Sequence, residues 1–176
     1  MNETAVADTG PLLHLAEIGQ ESQLTIFALV TISRQIKTEL EQHGVFDRVA
    51  AAVGDCLMVE SVLQSELDSQ QVELSGFKVH QADLSVAVLA KQLAPEVVLT
   101  DDLELRKGLE AQGYSVVGSV GILVRAFKAG HVEKTELRAC FDQLFNGSSL
   151  YLSKGFRAYI CKILDSLIRE ENADHI

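Results

Sequence analysis

The stretch Ala5-Val6-Ala7-Asp8-Thr9-Gly10-Pro11-Leu12 combines a short apolar run with residues that favour a turn. The run predicts a strand over Ala5–Ala7, with a start further upstream left open. The next three residues, Asp8-Thr9-Gly10, predict a turn. Pro11 predicts the first residue of a helix, where its missing N–H is not needed. That helix should end near Gly19, so the chain opens with strand, turn and helix.

The same alternation of short apolar runs and helical stretches continues along the chain. Further strands are predicted at the end of Leu24–Ile32 and at Leu57–Val59, Val97–Leu99 and Ser115–Val117. Helices are predicted after a Ser33 cap, at Phe46–Val53 and Gln81–Leu93, from Asp101-Asp102 to near Gly113, and at Val120–Ala129, Lys134–Phe145 and Lys154–Arg169. Residues 54–79 have the least regular pattern. Strands that alternate with helices are typical of βαβ units and a parallel sheet.

The expected fold class is therefore α/β. We expect a three-layer α/β/α sandwich with a central parallel sheet, followed by C-terminal helices. The length of 176 residues fits a single domain, in which residues from about 133 form a helical extension.

Composition is typical of a compact protein with a sizeable core. Hydrophobic residues make up 47% of the chain, and it has two prolines, so nothing indicates disorder. The three cysteines, Cys56, Cys140 and Cys161, are widely spaced and do not suggest zinc or disulfides. The N-terminus lacks a signal-peptide pattern, and no apolar run approaches the roughly 20 residues that span a bilayer. We expect a cytoplasmic protein.

The net charge of −10 argues against tight, non-specific binding to nucleic acid, because phosphate backbones attract basic surfaces. A cluster of metal-binding carboxylates would account for part of this acidity.

Acidic residues follow two of the predicted strands, at Asp8 and at Asp101-Asp102. In open parallel sheets, sites form beyond the carboxyl ends of the strands. Glu39 and Asp83 lie on predicted helices, each about 60° from a buried apolar position, Ile36 or Val86, so both flank a buried face. Four carboxylate positions could thus converge on one crevice.

Such a cluster suits Mg²⁺ or Mn²⁺, which take oxygen ligands in octahedral geometry. Two such ions about 4 Å apart can hold the attacking and leaving oxygens of a phosphodiester. Close carboxylates without a cation repel one another, so the cluster would otherwise be costly.

Each acid also has an ordinary structural explanation. Asp8 could accept hydrogen bonds in a turn, and Asp102 could be a helix N-cap. Asp83 could be a first-turn acid favoured by the helix dipole, and Glu39 a solvated helix residue. Periodicity alone shows only that the four could meet.

Other chemistries find little support. The five histidines show no metal-binding spacing, and His14, on a leucine-rich helix, fits the edge of the core. No nucleophile motif of the Gly-x-Ser-x-Gly kind is present. Gly10 stands where haloacid-dehalogenase-like phosphatases carry a second aspartate. The stretch Gly118-Ser119-Val120-Gly121 predicts a tight strand-to-helix turn.

Several segments together resemble PIN domains, the fold of many prokaryotic toxin ribonucleases. Four of them are similar to the four acidic PIN motifs, namely Ala7–Leu12, Ile32–Leu40, His80–Ala90 and Leu99–Asp102. Val117–Gly130 and Tyr151-Leu152-Ser153 resemble the C-terminal half of a PIN-like prokaryotic subfamily. The resemblance covers most of the chain and leaves out residues 44–79.

The resemblance implies a set of metal-binding, catalytic acids: Asp8, Glu39, Asp83, and Asp101 or Asp102. Between the last two, Asp102 fits the Thr-x-Asp spacing better. Thr9 and Thr100 would be supporting hydroxyls. Gln81 departs from the subfamily, which often has an acid there, and this leaves Asp83 as the one acid at that corner.

The implied activity is that of a Mg²⁺- or Mn²⁺-dependent endoribonuclease that leaves a 5′-phosphate and a 3′-hydroxyl. Four basic residues could position the RNA backbone or simply be solvated: Arg34, Arg106, Lys107 and Arg125. The alternative is a catalytically weak or inactive PIN fold that serves as a protein-interaction module.

By analogy, the protein could be the toxin of a toxin–antitoxin pair, with a small antitoxin as its partner. We also expect a homodimer, because the C-terminal helices are rich in apolar residues: Ile122, Leu123, Phe127, Phe141, Leu144, Phe145, Tyr159, Ile160, Ile163, Leu164 and Leu167. The alternative is that these helices only complete the monomer core.

Overall fold

A computed structural model describes the backbone of residues 3–173 and the side chains of residues 3–166. Five parallel strands form one sheet in the order β3-β2-β1-β4-β5. They are β1 (Thr4–Ala7), β2 (Leu29–Ser33), β3 (Leu57–Glu60), β4 (Val97–Leu99) and β5 (Val116–Val117). The helices are α1 (Thr9–Glu17), α2 (Arg34–Gln42), α3 (Phe46–Val53), α4 (Gln64–Glu73), α5 (Gln81–Leu93), α6 (Leu103–Ala111), α7 (Ser119–Lys128), α8 (Lys134–Asn146) and α9 (Lys154–Ala173).

The strand order reverses direction at β1. The chain first moves outward from β1 through β2 to β3, and then returns to the other side of β1 to add β4 and β5. Because βαβ crossovers are right-handed, this reversal puts the two sets of helices on opposite faces of the sheet. α1 packs against α3 and α7 on one face, and α4 packs against α5 on the other. The predicted three-layer α/β/α sandwich with a central parallel sheet is confirmed.

The central strands are apolar because helices cover both of their faces. Ala5, Val6 and Ala7 of β1 are fully buried, as is all of β4. β3 lies at the sheet edge, where Met58 and Val59 are exposed. The core thus surrounds β1 and β4, and it fixes the positions of the loops that follow these two strands.

The first helix begins two residues earlier than the sequence predicted. Asp8 is its N-cap and accepts a hydrogen bond from the Thr9 amide, so Asp8-Thr9-Gly10 is not a separate turn. Pro11 is the third helical residue, not the first. The first turn of a helix tolerates proline because its amides have no partner within the helix. Capping by Asp8 therefore determined where the helix begins.

The prediction that the end of Leu24–Ile32 forms a strand is confirmed, because this end enters β2 while the early part belongs to a 3₁₀ helix, Glu21–Ile26. One segment differs from the predicted pattern. The region 54–79 contains α4, which the sequence did not predict because few of its residues are apolar. Leu67 and Gln70 are its buried residues, so its helical periodicity is weak. The remaining predicted helices are confirmed, with ends that differ by at most a few residues.

The C-terminal helices use most of their apolar residues inside the monomer. Eight of those expected to form a dimer surface are buried: Ile122, Leu123, Phe127, Phe141, Leu144, Phe145, Ile160 and Leu164. Ile163 is half-buried, Tyr159 is exposed, and the Leu167 side chain lies outside the described residues. Most of these apolar residues therefore complete the monomer core, which was the alternative to a dimer surface. No helix within residues 3–173 is long and apolar enough to cross a membrane.

Candidate active site

The candidate site lies at the carboxyl edge of the sheet, beside the β1–β4 boundary. Asp8 directly follows β1, and Thr100 directly follows β4. The amide of Asp8 donates a 2.8 Å hydrogen bond to the carbonyl of Leu99, which continues the pairing of these strands. α1 and α6 leave toward opposite faces here, and a parallel sheet usually has a crevice at the point where its winding reverses in this way.

The Asp8 carboxylate is held by two hydrogen bonds. Its Oδ1 accepts from the Thr9 amide at 2.7 Å, and its Oδ2 accepts from the Thr100 hydroxyl at 2.8 Å. The side chain is 7% exposed. Asp8 is therefore both the N-cap of α1 and a buried, oriented acid between two strands.

The environment of Asp8 opposes its ionisation. Burial, with a smaller contribution from the nearby charges of Asp83 and Glu39, raises its pKa to about 7, although the hydrogen bonds from Thr100 and Thr9 act to lower it. Desolvation and like charges both disfavour the carboxylate form. An acid whose pKa is raised by burial and by neighbouring acids is typical of a functional site.

Asp83 reaches the same crevice from α5. It is the third residue of that helix and accepts a 2.5 Å hydrogen bond from the His80 amide at the helix N-terminus. Burial raises the pKa of Asp83, and the charges of Asp102 and Glu39 add to that increase. Asp83 is a first-turn acid of α5, as the ordinary structural explanation holds. That role does not explain why this acid is buried.

Glu39 is placed by α2. Ser33 caps this helix by accepting from the Ile36 amide at 3.1 Å, and the Ser33 hydroxyl also bonds that of Ser85 on α5 at 2.6 Å. Glu39 is half-buried, and its Oε2 accepts from the Thr9 hydroxyl. Thr9, which directly follows Asp8, thus connects Glu39 to the segment that carries Asp8. Glu39 is not a fully solvated helix residue.

Asp102 and Asp101 face different parts of the site. Asp102 is exposed and caps α6, since its Oδ1 accepts from the amides of Glu104 and Leu105. Its charge raises the pKa of Asp83, so it belongs to the acidic cluster. Successive residues of an extended segment point in opposite directions. Asp101 accordingly turns the other way, toward α1 and α7.

Both carboxylate oxygens of Asp101 are engaged. Oδ1 accepts from the Ser119 amide at 2.8 Å, and Oδ2 accepts from the Ser119 hydroxyl at 2.5 Å and lies 2.8 Å from Nδ1 of His14. His14 is therefore at the edge of the core, as predicted, and it also has a hydrogen-bond partner in Asp101. Gly118 makes room for this contact, because a Cβ there would clash with Asp101 Oδ1.

Most of the predicted RNA-contacting basic residues are occupied elsewhere. Arg106 donates 3.0 Å hydrogen bonds to the carbonyls of Thr100 and Val116, so it supports the ends of β4 and β5. Arg125 pairs with Glu3, which precedes β1 and so lies at the opposite edge of the sheet. Lys107 pairs with Glu104 on the surface of α6. Arg34, exposed at the start of α2, is the predicted basic residue that remains at the acidic edge.

Sequence reasoning missed several supporting residues. The buried Ser33–Ser85 pair and the Arg106 contacts to strand carbonyls depend on residues that are distant in sequence. Only the N-cap position of Ser33 carried a local signal. Gln81, where the resemblance expects an acid, is exposed at the start of α5, while Asp83 is buried. Asp83 is therefore the acid that α5 contributes to the cluster.

The donor chemistry of the cluster fits a divalent cation. Carboxylate oxygens are the ligands that Mg²⁺ and Mn²⁺ prefer, and a cation would remove the repulsion that raises the pKa values of Asp8 and Asp83. Within residues 3–166, no three His, Cys, Asp or Glu side chains already stand in an arrangement that could hold an ion. Glu39 and Asp102 are the less buried members of the cluster.

A family model for the PIN domain, DUF3368, matches residues 4–166, which is nearly the whole chain. The chain belongs to the PIN domain family. PIN domains are generally nucleases and generally use divalent metals, which agrees with the acidic crevice of this PIN domain. Comparison with curated proteins gave no match.

Proposed function

We propose that this PIN domain is a metal-dependent endoribonuclease that hydrolyses RNA phosphodiester bonds. The observation that carries the proposal is the position of Asp8. It is buried at the β1–β4 boundary, its pKa is about 7, and two of the groups that raise this pKa are the acids Asp83 and Glu39. A structural N-cap needs neither of these acidic neighbours.

In this proposal, the metal-binding acids are Asp8, Glu39, Asp83 and Asp102, rather than Asp101. Asp101 is the less suitable candidate because its carboxylate faces His14 and Ser119. Its charge is also not among those that raise the pKa of Asp8 or of Asp83. A bound Mg²⁺ or Mn²⁺ would lower the pKa of a water molecule and offset the charge that develops on the phosphate. Thr100 and Thr9 orient the Asp8 and Glu39 carboxylates through their hydroxyl hydrogen bonds.

RNA would approach a site with little positive charge of its own. Arg34 is an exposed cation at the acidic edge, so we assign it a contact to the RNA backbone. The chain as a whole is acidic, with a net charge of −10. Binding should therefore be weak and depend on the metal ion more than on counterion release.

The test is cleavage of a labelled single-stranded RNA by purified protein with Mn²⁺ or Mg²⁺, compared with excess EDTA. We expect cleavage only with metal, with 5′-phosphate and 3′-hydroxyl ends, and none by Asp8→Asn. Asp142→Asn, an exposed residue on α8, is the matched control and should cleave normally. Lack of metal-dependent cleavage by the wild type would support the inactive interaction module instead.

The homodimer, the small antitoxin partner and the cytoplasmic toxin role also remain proposals, and they rest on the resemblance to toxin ribonucleases. A reading frame adjacent to the gene that encodes a small protein able to inhibit cleavage would support the toxin role. Cleavage that is unaffected by any such neighbour would leave a nuclease without an antitoxin.

A further inference from the structure

We propose that His14, Asp101 and Ser119 form a clamp that fixes the spacing between the Asp8 and Asp102 sides of the crevice. This proposal rests on the proposed function, since it concerns how the metal-binding acids are positioned. None of the three residues is assigned a direct role in binding the metal or the RNA.

The clamp connects three elements that begin at the carboxyl edge. Asp101 lies in the loop between β4 and α6, His14 lies on α1, and Ser119 is the first residue of α7. The contacts to Asp101 are 2.8 Å from His14 Nδ1 and 2.8 Å from the Ser119 amide. The side chains of His14 and Asp101 are only 12% and 11% exposed, so water competes little for this pair.

The contacts satisfy groups that would otherwise lack partners. Gly118 is the N-cap of α7 and has no side chain with which to accept from the first amides of that helix. Asp101 supplies the missing acceptor from a different part of the chain, at the helix end that favours negative charge. Its charge is thereby stabilised apart from the cluster of Asp8, Asp83 and Glu39.

The position of the clamp explains how it could affect the site. Asp8 caps the helix that carries His14, and Asp102 is the residue after Asp101. The hydrogen bond between His14 and Asp101 therefore connects α1, which Asp8 caps, to the loop before α6, which carries Asp102. Beside it, the hydrogen bond from the Asp8 amide to the Leu99 carbonyl and the Thr100 hydrogen bonds hold the two acids in register across the boundary. Residues that orient metal ligands typically change metal affinity by about 10–100-fold when removed.

The test compares His14→Leu, which replaces the imidazole with an apolar side chain of similar size on a leucine-rich helix, with His14→Asn, whose amide can replace the Nδ1 donor. Mn²⁺ binding to the metal-free protein is measured by electron paramagnetic resonance, beside the rate of RNA cleavage. We expect His14→Leu to weaken Mn²⁺ binding about tenfold and to lower kcat with little change in KM for RNA. His14→Asn should restore most of both. His43→Leu, an exposed residue that caps the end of α2, is the control.

The outcomes separate the clamp from the proposed function. If Asp8→Asn loses Mn²⁺ binding but His14→Leu binds like the wild type, the clamp is wrong and the nuclease assignment stands. If Asp101→Asn loses binding as completely as Asp8→Asn while His14→Leu does not, Asp101 is itself a ligand and the clamp is again wrong. If the wild type binds no Mn²⁺, both proposals fail. If His14→Leu does not fold, Ser119→Ala serves instead, since it removes only the Ser119 hydroxyl contact and should weaken Mn²⁺ binding in the same direction.

Discussion

The hydroxyl of Thr100 donates a 2.8 Å hydrogen bond to Oδ2 of Asp8 across the boundary between β4 and β1. The Thr100 hydroxyl oxygen also accepts a 3.0 Å hydrogen bond from the Asp102 amide. A hydroxyl has one hydrogen to donate and two lone pairs to accept, so these contacts are compatible. Thr100 is fully buried, and this one side chain sets the position of both Asp8 and the loop that carries Asp102.

Replacement of this hydroxyl should therefore destabilise the fold. We expect Thr100→Val to lower the free energy of unfolding by about 1–3 kcal/mol, because a buried acceptor loses its donor. Thr100→Ser keeps the hydroxyl and should recover most of the loss. Urea unfolding measures both, with the exposed Thr38→Val as the control, for which we expect a change within about 0.5 kcal/mol. Equal stability of Thr100→Val and Thr38→Val would contradict the role of this bond.

Asp8→Asn should abolish metal-dependent cleavage and still fold. Asparagine keeps the shape of the side chain, and its oxygen can accept the Thr9 amide. In the metal-free protein at pH 8, the substitution should raise the free energy of unfolding by about 1–3 kcal/mol, because it removes a buried charge beside two acids. Thermal unfolding in EDTA tests stability. Cleavage equal to that of the wild type would exclude Asp8 from the site.

The stability difference between Asp8→Asn and the wild type should depend on pH. The Asp8 pKa is 3.8 in the unfolded reference and about 7 in the fold, so the folded state holds this proton over a wider range of pH. Its contribution to stability is thus fully present below about pH 4 and is lost as the pH rises to 7. The advantage of Asp8→Asn in EDTA should therefore grow between these values and level off above them. A constant difference would show that Asp8 ionises normally.

Gly118→Ala should destabilise the fold because the added Cβ would lie too close to neighbouring atoms. Backbone strain is not the cause, since Gly118 has a conformation that any residue adopts. A Cβ would clash with Asp101 Oδ1 and lie 3.2 Å from the Arg106 guanidinium. We expect a loss of about 1–3 kcal/mol in urea unfolding. Gly155→Ala in α9 is the matched control, with no atom within 4 Å of its Cβ, and it should be neutral or slightly stabilising.

The protein should form a dimer, although most apolar residues of the C-terminal helices are buried within the chain. Exposed aromatic residues remain, with Tyr151 at 87% and Tyr159 at 58% exposure, and they offer a surface for pairing. Multi-angle light scattering at micromolar concentration should give about twice the 19.2 kDa chain mass. Tyr159→Ser should shift the mass toward the monomer. A 19.2 kDa species in the wild type would contradict the dimer.

Local signals in the sequence predicted most of the fold. Ser33 and Asp102 are N-caps because their side chains bond amides two or three residues ahead, which depends only on nearby residues. The buried strand Val97–Leu99 and the helix Gln81–Leu93 were predicted with the correct bounds, because continuous apolar runs and helical periodicity are local patterns. The α4 helix escaped prediction because most of its residues are polar and exposed.

The candidate site depended on tertiary structure at several points. The sequence placed Asp8, Glu39, Asp83 and an acid after β4 on elements that could meet, but it could not separate Asp101 from Asp102. That separation arises because α1 and α7 cover one face of the sheet and α5 covers the other, so the two neighbouring side chains enter different surroundings. The sequence by itself determined the strands, the helices other than α4, and the candidate acids. Only the strand order decided which acids share a crevice, because it brings β4 beside β1 across 89 intervening residues, a distance beyond the reach of local pattern.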